Sequence, residues 1–124
     1  MKNLIIQCSI IAIILCSATV NAQQYLPNDP TPAQEEKAKE IVVQFDSVLS
    51  LTTKQELLFD IKQTEFIVSQ ELLINSNTPK EELNRMLLAL YLDQAMEMKD
   101  ILTQPQYDLY AKVRSTYDPL LVIL

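Results

Sequence analysis

The chain has 124 residues, ten basic against sixteen acidic side chains, a net charge of −6, and neither glycine nor histidine. That length suits one small domain. Lack of glycine excludes phosphate-cradling loops and dinucleotide fingerprints, lack of histidine removes the commonest general base and metal ligand, and acidity argues against nucleic acid or an anionic membrane surface as partner.

Residues 1–22 read as a cleaved signal peptide. Lys2 supplies a positive start, the run from Leu4 to Cys16 is apolar apart from Gln7, Cys8 and Ser9, and Val20-Asn21-Ala22 suits a peptidase cut. The run is too short to span a bilayer. Leu15 precedes Cys16 where a lipid-attachment site needs a small residue, so cleavage after Ala22 is the expectation. Both cysteines leave with the leader, and no disulfide can form in the remainder. Losing only Lys2 leaves nine basic against sixteen acidic residues, or −7. Export to the periplasm is expected, with secretion as the alternative. With no His or Cys in the mature chain and its carboxylates suited to helix first turns and polar faces, neither enzymatic activity, cofactor nor metal is expected.

Residues 23–31 form an extended lead-in, marked by Pro27, Pro30 and turn-forming Asn28-Asp29. A single helical domain is then predicted over 32–124. Four threonines announce helix starts, each followed three residues later by Gln or Glu: Thr31 with Gln34, Thr52 with Gln55, Thr78 with Glu81, and Thr103 with Gln106. In such a capping box the hydroxyl accepts from the N3 backbone N–H while the N3 side chain accepts from the cap N–H.

The first helix is predicted over 32–50, with Ala38, Ile41, Val42, Phe45, Val48 and Leu49 on one stripe and charged residues opposite. A second, from Thr53 to Leu73 or Ile74, has two apolar stripes: Leu57, Leu58, Ile61, Val68 and Leu72, and then Phe59, Phe66, Ile67, Leu73 and Ile74. A helix apolar on more than one face is sandwiched or contributes to an interface. Asn75-Ser76-Asn77 ends it, with asparagine expected in the left-handed cap role. The third is predicted over 79–101, its stripe being Leu83, Leu87, Leu90, Tyr91 and Met98, flanked by Leu88, Leu92 and Met96. The short link between these two long helices predicts an antiparallel hairpin. The fourth runs from the Thr103 box to Asp118, with Tyr107, Tyr110, Ala111, Val113 and Tyr117 inward, Leu102 stapling onto Tyr107, and Pro119 as the stop. The fold class is thus all-α: four amphipathic helices with a central long hairpin, as a bundle or as half of a cradle-shaped homodimer.

Three features are candidates for binding. The second stripe of the second helix (Phe59, Phe66, Ile67 and Ile74) could be a dimer seam or a client surface, or could be buried within the chain. Met86, Met96 and Met98 near Tyr91 could form an adaptable apolar surface, though core filling is the commoner use of such spacing. The apolar run Leu120–Leu124 is expected to fold back over the helices; left free, it would act as a docking or degradation signal.

Two of the boxes share more than a cap. They read Leu51-Thr52-Thr53-Lys54-Gln55 and Leu102-Thr103-Gln104-Pro105-Gln106, two LTxxQ motifs. An exported, all-helical chain of this size carrying both resembles the Spy/CpxP family of bacterial periplasmic proteins. The resemblance implies a helical fold, frequently an antiparallel cradle-shaped homodimer. It implies action as an ATP-independent chaperone on unfolded or non-native envelope proteins, or as an inhibitory partner of a membrane sensor kinase of the envelope-stress response. The chain departs from the family's metal-handling branch in lacking histidine, and its acidity contrasts with the basic concave surface of the chaperone branch. The motif residues Leu51, Thr52, Gln55, Leu102, Thr103 and Gln106 read as cap and staple residues. A structural or interaction role of another kind is the further alternative, since fold does not imply function.

Overall fold

A computed structural model describes residues 29–124. The predicted leader and residues 23–28 of the lead-in lie outside the described residues. Four helices follow in order: α1 Pro32–Leu49, α2 Thr53–Ile74, α3 Lys80–Ile101 and α4 Gln104–Tyr117. There is no strand among the described residues, and the fold is all-α. No described helix is long and apolar enough to cross a membrane.

Cross-contacts give the helix directions. Gln34 at the start of α1 bonds Glu71 near the end of α2, while Phe45 further along α1 stacks on Phe59 nearer the start of α2. Against α4, the Leu49 carbonyl meets Gln106 and Phe45 meets Tyr110. Lys99 lies over Tyr107, and Gln94, more than a turn earlier on α3, meets Arg114. Thus α1 opposes α2 and α4, and α4 opposes α3, so α2 and α3 also run in opposite senses. Each helix packs on two neighbours, α1 and α3 both lying between α2 and α4.

The core is built around Phe45, whose ring centroid lies 5.2 Å from Phe59, 5.1 Å from Tyr110 and 5.4 Å from Tyr117. Such tilted and edge-on pairs add roughly 0.5–1.5 kcal/mol each beyond area burial. Ala38, Ile41, Val42 and Leu49 bury the predicted stripe of α1 against this cluster, and Met98 and Leu102 close it from the α3 side. Among the described residues of α1 only Val48 of that stripe stays half-buried.

The caps hold in three of four places. Thr31, Thr52 and Thr103 each accept from the N3 amide, and Gln34, Gln55 and Gln106 each accept from the cap N–H. The Thr78 box does not form: extended Pro79 is the N-cap of α3 with no side-chain cap bond, and the Thr78 hydroxyl pairs with Ser76 Oγ at 2.7 Å. The asparagine cap is also corrected. Asn75 stays right-handed, and the left-handed residue is Ser50 at φ 55°, ending α1. With no glycine available, Asp46 Oδ1 supports that turn by accepting from the Leu51 N–H at 2.8 Å.

Candidate functional site

Capping alone would not bring the two LTxxQ motifs together, but the fold does. Gln55 Nε2 donates to Gln106 Oε1 at 2.7 Å, and Gln106 Nε2 donates to Gln55 Oε1 at 3.1 Å. Each amide also donates to the last turn of the helix preceding the other motif: Gln55 to the Ile101 carbonyl and Gln106 to the Leu49 carbonyl, both at 3.2 Å. Each amide oxygen additionally accepts from its own cap, Thr52 N–H at 3.0 Å and Thr103 N–H at 2.9 Å. Two glutamines therefore satisfy orphan groups at four helix ends, the starts of α2 and α4 and the ends of α1 and α3. Leu102 is buried and Leu51 packs on the core beside it. The junction is a structural keystone of amides and leucines, with no group in it that titrates or attacks.

A second polar chain runs through the middle of the fold. Arg114 donates to Gln94 Oε1 at 2.7 Å, Gln94 donates to Gln63 Oε1 at 3.1 Å, and Gln63 donates to Asp118 Oδ2 at 3.1 Å. All four side chains are buried. The Arg114 guanidinium lies 3.4 Å from the Tyr91 ring centroid, a cation–π stack that replaces lost water on one face. Burial pushes the Asp118 carboxyl above its usual range, partly offset by the Gln63 hydrogen bond and the Arg114 charge. Burial likewise raises the Tyr110 phenol, whose hydroxyl has no partner among the described residues. Sequence reasoning missed these four residues. The signal was present: Gln63 stands four residues after Phe59 and four before Ile67, a polar residue in core register.

Of the apolar candidates, for which both binding and burial are open from the sequence, most lie inside the fold. Phe59, Phe66 and Ile67 are buried in the core, and Ile74 is half-buried at the end of α2. The stripe left outside is the other one: Leu57, Leu58, Ile61 and Leu72 are exposed and only Val68 is buried. The reason is placement, since α1 and α3 flank the phenylalanine side of α2 and leave its back to solvent. The three methionines also separate. Met98 is fully buried in the core, whereas Met86 and Met96 are exposed at different places on α3.

Six of the exposed apolar side chains fall into two patches. On α3, Leu88, Leu92 and Met96 recur every four residues and are all exposed, making one outward row. Between α1 and α2, Val43 and Leu57 line one shallow depression and Ile61 a second, with Lys39 and Asp60 common to both. Among the described residues no group of three or more His, Cys, Asp or Glu is placed to hold a metal ion. Comparison with protein-family models, with curated proteins and with solved structures gave no match in any of the three.

Proposed function

We propose that this chain is an exported, ATP-independent chaperone-like protein that binds non-native proteins through apolar helix faces. The observation that carries the reading is the α3 row Leu88, Leu92 and Met96, apolar side chains outside a core that closes without them. Large apolar side chains clustered on a monomer's surface mark an interaction site more often than scattered single ones do. The thioether of Met96 suits contact with varied partners. The likeness to the Spy/CpxP family adds support through its paired LTxxQ motifs, which here form one junction, and the signal-like residues 1–22 support a periplasmic location.

In the experiment that tests it, the protein is titrated against a chemically unfolded client and aggregation is followed by light scattering. Suppression at sub-stoichiometric to equimolar ratios is expected, and Leu92→Gln with Met96→Gln should weaken it severalfold while changing stability by less than about 0.5 kcal/mol. Unchanged scattering across that range would sink the proposal. Recovery of one defined membrane protein with the chain, and no effect on clients, would instead favour a regulatory partner of a sensor kinase. A homodimer is also proposed, through the apolar surface between α1 and α2, which leaves the α3 row free, and light scattering after size exclusion distinguishes it from a monomer.

A further inference from the structure

The run Leu120–Leu124 has no charged side chain, yet the fold absorbs it only in part: Leu120 and Ile123 are half-buried, while Leu121, Val122 and Leu124 are exposed, the last almost completely. Among the described residues, its hydrogen bonds come from a single side chain. Asn84 on α3 accepts from the Ile123 N–H through Oδ1 at 2.8 Å and donates from Nδ2 to the Ile123 carbonyl at 2.9 Å. Both backbone groups of one residue are thus read by one amide, the pairing a neighbouring β-strand would provide. Reading the backbone leaves the sequence of the bound segment unspecified, apart from excluding proline at the clamped residue. One turn further along α3 lies exposed Leu88, the first member of the outward row.

We propose that Asn84 and the adjoining α3 surface form a binding site for extended apolar peptide segments, filled in this chain by its own residues 120–124. The occupant seated there displays the ligand class: uncharged, extended and rich in branched aliphatic side chains. Two neutral hydrogen bonds and the partial burial of Leu120 and Ile123 hold it, a weak enough tether for a competing segment in trans to displace. The proposal rests on the binding reading above for its partner class, but the two fail separately: client aggregation reports on Leu92 and Met96, peptide capture on Asn84.

The test uses the full chain and a fluorescein-labelled peptide carrying Leu-Leu-Val-Ile-Leu between Ser-Glu flanks, whose charge disfavours nonspecific attraction to an acidic protein. Ile123→Pro removes the N–H that Asn84 accepts, together with the half-buried isoleucine side chain, and should vacate the site. Fluorescence anisotropy should show the peptide binding Ile123→Pro at least tenfold tighter than the parent chain. Adding Asn84→Ala should abolish the gain, as should N-methylation of the peptide's isoleucine. Equal binding by parent and Ile123→Pro, or a gain that survives Asn84→Ala, overturns the proposal. So does loss of far-ultraviolet helical signal in Ile123→Pro or on deleting 120–124, because the run would then be part of the fold.

Discussion

The two ends of this helical protein carry the same four-residue signal and treat it differently. At the end where α1 passes to α2 and α3 to α4, Thr52 and Thr103 cap their helices and their glutamines pair. At the opposite end Thr31 caps α1, with Gln34 donating across to Glu71 at 2.6 Å, while Thr78 caps nothing. Proline after the threonine is not the cause, since Thr31-Pro32 forms its box. The distinction is chemical. Every box that forms has glutamine at N3, whose oxygen accepts from the cap while its NH₂ donates to another helix. Glu81 is exposed and, as a carboxylate, has no N–H to give. A capping box in this fold is secured by tertiary bonds as well as local ones.

The largest expected effect follows from that difference. Gln106→Glu keeps the cap acceptor but removes both tertiary donations and sets a carboxylate against the Leu49 carbonyl and Gln55 Oε1. Urea denaturation should show a loss of about 2–3 kcal/mol with little change in helix content. In a double-mutant cycle with Gln55→Ala and Gln106→Ala, coupling above about 0.5 kcal/mol is expected, and additivity would show that the pairing is idle. Next come the hydroxyls: Thr52→Ala and Thr103→Ala should each cost about 1 kcal/mol.

A pH series separates the glutamine junction, which has nothing to titrate, from the buried chain ending at Asp118. The folded state raises the Asp118 pKa, so it binds that proton more tightly than the unfolded chain does. Stability from this group is therefore present below the ordinary carboxylate pKa and is lost as pH rises through the raised value. Asp118→Asn preserves an oxygen for Gln63 and should lessen the fall in Tm as pH rises above the ordinary carboxylate range. A fall equal to the parent's would place the titration elsewhere. The smallest effect is expected at the failed box, where Thr78→Ala should change stability by less than about 0.5 kcal/mol. A loss of a full cap's worth would mean that Thr78 caps α3 in solution.

Much of the fold was legible because it is written locally. The α1 stripe lies inward as its spacing predicts, and the starts of α1, α2 and α4 follow their threonines. Burial of α2 was not legible. Its two apolar stripes are equivalent to any periodicity argument, and the choice of Phe59, Phe66 and Ile67 over Leu57, Leu58 and Ile61 depends on where neighbours lie. The candidate site was read less well for the same reason. Phe59, Phe66, Ile67 and Met98 are core, and of the exposed row Leu88, Leu92 and Met96 only Met96 stands among the sequence candidates for binding, the two leucines reading as a flank.

Residue order alone determines that this is a helical chain, where three of its helices begin, and which chemistries its glycine- and histidine-free composition lacks. Those properties depend on neighbours three or four residues apart, a range over which backbone sterics and caps act directly. Tertiary structure decided the rest: the meeting of Gln55 with Gln106, the line from Arg114 through Gln94 and Gln63 to Asp118, and the seating of Ile123 on Asn84. Each joins residues on different segments of the chain. An amide's spare donor or an apolar side chain's second face has no preferred partner until packing supplies one.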